Sequence, residues 1–379
     1  MAIEEGTIYE YRLMRLYSYM GYFTRRGVTV RPLFGPGNIR ITDVDVLGIR
    51  FLTGFRPYLT IGECKSGENV GTIDRFLWIR GLNQHLRADE MFVAKRRFSR
   101  QTNEFARRWG ILALDDERIA ELEKTWIPHG DLWLGSHDYR HFHERHKQLY
   151  AGIIKRDTKL RAAFLFARSE FWYTENTIRL KRAIAHIDNL AQDLVGDWLQ
   201  GDIAYSQRWL ILELIVLMSI SVLHLCYQCY SLSKLDRDSH IAQLLAAGLL
   251  PIEELRKLRQ AAQQYAYQKV KALTGQEVLF PPEANDVPPP DYTAALIDIV
   301  ERLLAQETQA LHVSRLLDLI VYEVVLKSGE VTLETLSYLF QGDLEMILKL
   351  AKNILFFLFD HTSLDKEQVA DLIAWGLPG

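Results

Sequence analysis

Two short segments in the first third of the chain carry carboxylates and a lysine at spacings that suit hydrolytic chemistry. One segment contains Asp43 and Asp45, and the other contains Glu63 followed by Cys64 and Lys65. Apolar residues flank both sets, as in strands, and side chains alternate between the two faces of a strand. Glu63 and Lys65 therefore share a face, as do Asp43 and Asp45. Pairing of the two strands would bring an acid of the first beside Glu63.

Two carboxylates in one place repel each other, and a protein usually tolerates them when a hard cation lies between them. Mg²⁺ or Mn²⁺ would lower the pKa of water and neutralise charge on a phosphate, while the ammonium group of Lys65 orients the water. The set therefore suits hydrolysis of a phosphodiester. Val46 and Leu47 directly follow Asp45 and favour it as the ligand. The alternatives are Asp43 as the ligand, or an ordinary surface ion pair.

The elements that must position these residues alternate between helix and strand. Apolar residues at helical spacing predict helices, and β-rich runs bounded by turn residues predict strands. The predicted helices are Thr7–Met20, Thr72–Arg87 and Ser99–Trp109. The predicted strands are Val28–Leu33, Arg40–Phe51, Tyr58–Ser66, Met91–Lys95 and Ile111–Leu114. This order predicts an α+β domain, residues 1–126, in which helices pack on a mixed sheet.

Asp45 on one strand and Glu63-Cys64-Lys65 on the next resemble the motif of the PD-(D/E)xK nuclease superfamily. The branch of Holliday-junction resolvases and modification-dependent restriction endonucleases is the most similar, over roughly Glu5–Glu123. The proline of the superfamily's name is absent before Asp45. The resemblance implies a restriction-endonuclease-like αβββαβ core and a Mg²⁺-dependent deoxyribonuclease. It implies metal ligation by Asp45, Glu63 and the Cys64 backbone carbonyl, with Lys65 positioning or activating water.

The resemblance also implies roles for two helical residues. Glu10 matches a glutamate of the first helix in the resolvase-like branch, which can contact the metal through water. Gln84 falls in the helix after the acid-x-lysine strand, where many members place a polar active-site residue. Each has an alternative: Glu10 could form a capping box with Thr7, and Gln84 could be a solvated helix residue.

Basic residues concentrate in the first third of the chain. Residues 1–128 contain 20 Lys and Arg against 16 Asp and Glu, a net charge of +4, whereas the remainder has 25 against 32, a net charge of −7. Such residues suit phosphate contacts that position a duplex without reading its sequence. The predicted nucleic-acid contacts are Arg25, Arg26, Lys95, Arg96, Arg97 and Arg100. A solvated charged surface is the alternative.

From about residue 139 the pattern becomes helical. We expect a helical domain at 139–280, a Pro-rich linker at 281–291 and a C-terminal helical domain at 292–379. This all-α region is expected to form a homodimer, to contact a partner in a defence complex, or to regulate the nuclease. Its segment Trp209–Cys226 is apolar but of borderline length for a bilayer, so a buried core helix is expected and a membrane span is the alternative.

Histidine and cysteine residues in the helical region suggest other sites. His137 and His141 have a spacing that zinc sites use, and His224, Cys226 and Cys229 read as H-x-C-x-x-C. Arg140 and His146 fit the loose R-x(4–6)-H spacing of helical HEPN-type RNases. These patterns are permissive, and surface histidines and ordinary core cysteines are the expected explanation.

The favoured interpretation is a cytoplasmic, metal-dependent endonuclease that cleaves DNA in prokaryotic defence or restriction. Only three cysteines are present, which favours a reducing compartment. The alternatives are a repair or recombination nuclease that acts on branched DNA, and a non-catalytic nucleic-acid-binding module that keeps the fold. RNA as the substrate also stays open.

Overall fold

The first third of the chain folds around one five-stranded sheet. The computed structural model describes residues 3–31, 40–65, 71–127, 132–193, 201–247, 252–275 and 288–376. The strands are β1 (Phe23–Val30), β2 (Thr42–Leu52), β3 (Arg56–Lys65), β4 (Glu90–Lys95) and β5 (Ile111–Leu114). The helices of this part are α1 (Glu5–Tyr19), α2 (Thr72–Leu86), α3 (Arg100–Arg108) and α4 (Asp116–Trp126).

The sheet is mixed, as the sequence predicts. The strands are ordered β1-β2-β3-β4-β5; β1, β2 and β3 pair antiparallel, whereas β4 and β5 are parallel to β3. The first strand begins earlier than the sequence pattern predicts, since β1 begins five residues before Val28. Its predicted end at Leu33 lies outside the described residues. Helix α4 was not predicted.

The two faces of the sheet contact different helices, which follows from the alternation of side chains along each strand. Val46, Cys64 and Phe92 pack on one face in an apolar cluster with residues of α1. Leu47 and Ile61 point to the other face and join the core that includes α2 and the helical region. The sheet is therefore covered on both sides.

The rest of the described chain is helical, which confirms the predicted all-α region. Its helices are α5 (Tyr139–Leu149), α6 (Thr158–Arg168), α7 (Asn176–Ala191), α8 (Asp202–Cys229), α9 (Lys234–Ala246), α10 (Ile252–Thr274), α11 (Thr293–Ala305), α12 (Glu307–Ala310), α13 (Val313–Leu319), α14 (Leu333–Leu339), α15 (Leu344–His361) and α16 (Ala370–Ala374). A π-helical segment, Ile320–Leu326, continues α13. The predicted linker lies largely outside the described residues, and the predicted domain boundaries stay predictions.

Helix α8 runs through the middle of the helical region. Among the described residues it is the one helix long and apolar enough to cross a membrane, and 94% of its apolar window is buried within the protein. Neighbouring helices α6, α7, α11 and α13 pack against it. This burial fits the predicted core helix, because a membrane span would present its apolar surface to lipid.

A buried ion network joins the sheet to the helical region and corrects the expectation for Arg25. The Arg25 guanidinium on β1 contacts both carboxylate oxygens of Glu213 on α8, at 2.7 and 2.8 Å. It also contacts Asp318 on α13 at 2.7 Å. Tyr322 donates a 2.8 Å hydrogen bond to Glu213. Arg25 is only 2% exposed, so its predicted role as a phosphate contact is wrong.

Replacement of Arg25 by Leu should destabilise the fold strongly. The change leaves Glu213 and Asp318 buried without the cation that bridges them, which typically costs about 3–5 kcal/mol. The measurement is urea unfolding at neutral pH. The control is Arg100→Leu, whose side chain is 94% exposed and, in the described part of the chain, pairs with Glu104, four residues along α3. Equal midpoints for the two variants would show that the network contributes no more than a surface pair.

Candidate active site

The structure brings Asp45 and Glu63 together on adjacent strands. β2 and β3 pair antiparallel, and Val46 lies opposite Gly62. Extending that register by one residue places Asp45 beside Glu63. Oδ2 of Asp45 accepts a 2.8 Å hydrogen bond from the backbone N–H of Cys64, which fixes the aspartate against β3. The two carboxylates therefore come from the two strands that the sequence predicts.

Lys65 bridges the two carboxylates. Its Nζ lies 2.7 Å from Oε1 of Glu63 and 3.4 Å from Oδ2 of Asp45. Within the described residues, the remaining oxygens, Oδ1 of Asp45 and Oε2 of Glu63, make no hydrogen bond. One oxygen of each acid is therefore bonded inside the protein, and the other is available to a ligand.

Burial and mutual repulsion perturb this cluster. Burial, together with the charge of Asp45, raises the pKa of Glu63 to about 7, although Lys65 and Arg75 act in the opposite direction. Burial alone would lower the pKa of Lys65, but the charge of Asp45 and the hydrogen bond to Glu63 outweigh it and raise that pKa. The lysine therefore stays protonated at neutral pH and can orient water more readily than it can remove a proton from it.

The donors fit a hard divalent cation of the kind that the sequence predicts. Carboxylate oxygens are the ligands that Mg²⁺ and Mn²⁺ prefer, and the raised pKa of Glu63 indicates that Lys65 and Arg75 do not fully offset its burial and the charge of Asp45. The Cys64 thiol is buried in the apolar cluster with residues of α1, and a thiol is not the oxygen donor that these cations prefer. In the described parts of the chain, no three His, Cys, Asp or Glu side chains come close enough together to hold a metal ion. Direct ligation would therefore use two side chains.

Glu10 lies near this pair but is held by another residue. Its Oε2 is 2.6 Å from Nη1 of Arg26 on β1. Burial and the charge of Asp45 raise its pKa, while Arg26 and Lys65 lower it. The capping alternative is wrong, because α1 begins at Glu5 and Thr7 lies inside the helix. Glu10 is thus a third carboxylate within electrostatic range of Asp45, but among the described residues it forms no three-acid cluster with Asp45 and Glu63.

The structure favours Asp45 over Asp43 and does not bring Gln84 to the site. Asp43 forms an ion pair with Arg40 and lies two residues before Asp45 on β2. Gln84 is exposed near the end of α2. The residue of α2 that reaches the site is Arg75, whose Nη1 is 3.4 Å from Oε1 of Glu63. Gln84 lies nine residues beyond it, about 13.5 Å along the helix.

Sequence reasoning missed Arg75. The sequence signal that could have identified Arg75 is its position, because it occupies the first turn of the helix that follows the acid-x-lysine strand. That turn lies at the same end of the sheet as Lys65. A guanidinium there adds positive charge beside Glu63, as Lys65 does.

The predicted phosphate contacts after β4 differ in their surroundings. Lys95 is the register partner of Lys65 on the neighbouring parallel strand, and its Nζ lies 3.3 Å from Thr72 Oγ1 at the start of α2. Arg96 is exposed and pairs with Glu5. Arg97 and Arg100 are exposed. Lys95 therefore lies at the site itself, and the other three lie on the surface beyond it.

The histidine and cysteine patterns of the helical region form no metal site among the described residues. The His146 ring stacks on Trp209 with centroids 3.6 Å apart, and burial lowers its pKa well below the usual value. His224 Nδ1 lies 3.0 Å from the Ile220 carbonyl oxygen, and Cys226 and Cys229 are buried thiols. His146 thus contributes to packing, which weakens the HEPN alternative.

Searches of protein-family models, of curated proteins and of solved structures found no match to this chain. The function therefore has to be inferred from the geometry of the site. That geometry is a pair of carboxylates on adjacent strands, a lysine that bridges them, and basic residues from the next strand and helix.

Replacement of Glu63 by Gln should stabilise the metal-free protein in a pH-dependent way. The folded-state pKa of about 7 exceeds the ordinary value of 4.5, so the folded chain binds this proton more tightly than the unfolded chain. That contribution to stability is present below about pH 4.5 and is lost as the pH rises through 7. The Tm of Glu63→Gln in EDTA should therefore exceed that of the wild type, and the difference should be largest at pH 8. There it should correspond to roughly 1–3 kcal/mol in the free energy of unfolding.

The excess in Tm should shrink toward pH 5, where the folded wild-type protein carries a neutral Glu63. The matched control is Glu104→Gln, the same change on the exposed surface of α3. It should leave the Tm equal to that of the wild type at both pH values. A Tm difference for Glu63→Gln that is the same at pH 5 and pH 8 would contradict the repulsion described above.

Proposed function

We propose that this chain is a metal-dependent endonuclease with a PD-(D/E)xK-type core that hydrolyses phosphodiester bonds in DNA. The observation that carries the proposal is the contact of Lys65 with both Asp45 and Glu63 across two adjacent strands. Each acid keeps one oxygen without a hydrogen bond inside the described protein, and the lysine stays cationic. This is the arrangement that phosphodiester hydrolysis needs, because the ligands, the water-orienting group and the phosphate must meet at one point.

The roles of the residues follow from their charges. Asp45 and Glu63 would hold Mg²⁺ or Mn²⁺, with the Cys64 backbone carbonyl as the further oxygen that the superfamily resemblance implies. When bound, the cation supplies Lewis acidity toward the phosphate and acidifies water. Lys65 orients the attacking water through its ammonium group. Arg75 lies 3.4 Å from Glu63 and adds positive charge where a phosphate would enter.

The substrate would approach over α2 and α3. Residues 72–109 contain nine Arg and Lys against four Asp and Glu, a net charge of +5. Seven of these basic side chains are exposed: Arg80, Arg87, Arg96, Arg97, Arg100, Arg107 and Arg108. Because the first turn of α2 contacts Glu63, a duplex whose phosphate reaches the site passes this surface. These contacts would give an affinity for DNA that falls as the salt concentration rises and does not depend on the base sequence.

The cellular setting belongs to the same proposal. A nuclease with a large helical region fits a role in prokaryotic defence or restriction in the cytoplasm. The helical region would then pair two copies, contact a partner or control the site. These parts rest on analogy with the superfamily, whereas the chemistry rests on the site.

Two aspartates two residues apart on β2 provide a matched test of the chemistry. Asp45→Asn should lower the rate of plasmid cleavage in Mg²⁺ by about 10³-fold or more, because the change removes a metal ligand worth several kcal/mol. Glu63→Ala and Lys65→Ala should do the same. Asp43→Asn makes the identical chemical change outside the cluster and should retain most of the activity. Cleavage should also stop in EDTA, and Ca²⁺ should not replace Mg²⁺.

For each of these predictions, a different experimental result would contradict the proposal or favour one of its alternatives. Cleavage that persists in excess EDTA would overturn the metal-dependent mechanism. An inactive Asp43→Asn beside an active Asp45→Asn would move the ligand by two residues. Binding of DNA without cleavage of linear, supercoiled, branched or single-stranded substrates would favour the non-catalytic module. Preference for branched DNA would favour the repair nuclease.

A further inference from the structure

Arg26 on β1 is held by groups from both the sheet domain and the helical region. Its Nη1 lies 2.6 Å from Oε2 of Glu10 on α1. Its Nη2 lies 3.3 Å from Nδ1 of His143 on α5. The guanidinium carbon lies 4.7 Å from the centre of the Tyr11 ring. Two arms of one guanidinium thus connect an acid beside the candidate site to a histidine more than a hundred residues away in sequence.

The contact fixes the state of His143. A guanidinium only donates hydrogen bonds, so Nδ1 of His143 must accept from Arg26. The imidazole is therefore neutral and carries its proton on Nε2. Burial and the charge of Arg26 lower the pKa of His143, in keeping with that state. The Tyr11 hydroxyl lies 3.5 Å from the same Nδ1. His143 acts here as a fixed acceptor that orients Arg26.

A second helix of the same region holds the backbone of Arg26. Nη1 of Arg168 on α6 donates a 2.9 Å hydrogen bond to the Arg26 carbonyl oxygen. The side chain and the main chain of Arg26 are therefore both anchored by helices that lie outside the α+β domain. The Arg26 side chain keeps 24% exposure, but its two arms are already engaged.

Glu10 transmits this anchoring to the site. Its pKa is raised by burial and by Asp45, and lowered by Arg26 and Lys65, so it lies within electrostatic range of the candidate ligands. Arg26 contacts Oε2 of Glu10 at 2.6 Å and therefore fixes where this acid lies on the side of α1. A carboxylate fixed within electrostatic range of Asp45 adds to the negative field that attracts a divalent cation.

We propose that His143 and Arg26 are positioning residues for Glu10, and that the helical region thereby strengthens the metal site from outside its direct ligands. The inference rests on the proposed function. It assigns Arg26 to the support of an acid, not to the phosphate contact that its sequence position suggests. Groups that orient a metal site from outside the ligands typically change metal affinity or activity 10–100-fold when removed.

The test uses two replacements of His143 that differ only in one acceptor. In His143→Asn the amide oxygen takes the place of Nδ1 and can accept from Arg26, whereas His143→Leu fills the space without an acceptor. Arg26→Lys keeps the charge, but one ammonium group cannot serve both Glu10 and His143 in the guanidinium geometry. The control is His141→Leu on the same helix, whose Nε2 has no hydrogen-bond partner among the described residues.

Three quantities are measured on the full-length protein: Mn²⁺ affinity by titration calorimetry without DNA, kcat and KM for plasmid cleavage, and Tm in EDTA. We expect His143→Leu and Arg26→Lys to bind Mn²⁺ about 10-fold more weakly and to lose kcat at fixed metal concentration, with KM for DNA unchanged. His143→Asn and His141→Leu should resemble the wild type. A role in folding alone would lower the Tm of His143→Leu without moving the Mn²⁺ affinity.

The outcomes separate this inference from the proposed function. If the wild type binds Mn²⁺ and Asp45→Asn abolishes cleavage, but His143→Leu and Arg26→Lys bind Mn²⁺ as the wild type does, only the positioning role is overturned. A raised KM for DNA with unchanged Mn²⁺ affinity in Arg26→Lys would return Arg26 to phosphate contact and also overturn it. If the wild type neither binds Mn²⁺ nor cleaves DNA, both the proposed function and this inference fail.

Discussion

Asp45 and Glu63 lie beside each other on adjacent strands, mostly removed from water, and the repulsion between them has to be opposed by their surroundings. Inside the protein Lys65 opposes it directly, at 2.7 and 3.4 Å, and Arg75 adds charge from the first turn of α2. The opposition is incomplete, because the pKa of Glu63 stays raised. An incomplete balance of this kind is what a cation site requires, since full compensation within the protein would remove the attraction for the cation.

The alternation of side chains along β1 extends this electrostatic arrangement to both sides of the sheet. Arg25 and Arg26 are consecutive and therefore point to opposite faces. Arg25 enters the core and contacts Glu213 and Asp318, and Arg26 faces α1 and contacts Glu10. One strand thus contacts the helical region through Arg25 on one face and the first helix through Arg26 on the other. A change in the position of β1 would act on both sets of contacts.

The sequence predicts what depends on local periodicity. The period of two on β2 and β3 places Asp45, Glu63 and Lys65 together, and the helix and strand order predicts the mixed sheet and the all-α region. The partners of charged residues are not local, and there the sequence predicts poorly. Arg25 looks like a surface cation until Glu213, 188 residues away, is placed beside it. Arg75 and Gln84 belong to one helix, and only its orientation against β3 shows which of them reaches Glu63.

The contacts of the helical region change how the α+β domain should be regarded. The sheet face that carries Leu47 and Ile61 shares one continuous apolar core with the helical region. That face is therefore not the surface of an independent domain. The β2–β3 turn is attached as well, because Glu307 on α12 accepts a 2.6 Å hydrogen bond from the Gly54 backbone N–H. Strands β2 and β3 carry the candidate ligands at one end and are anchored to helices at the other. A shift of the helical region relative to the sheet would therefore act on the strands that carry Asp45 and Glu63, because it would move the turn that joins them.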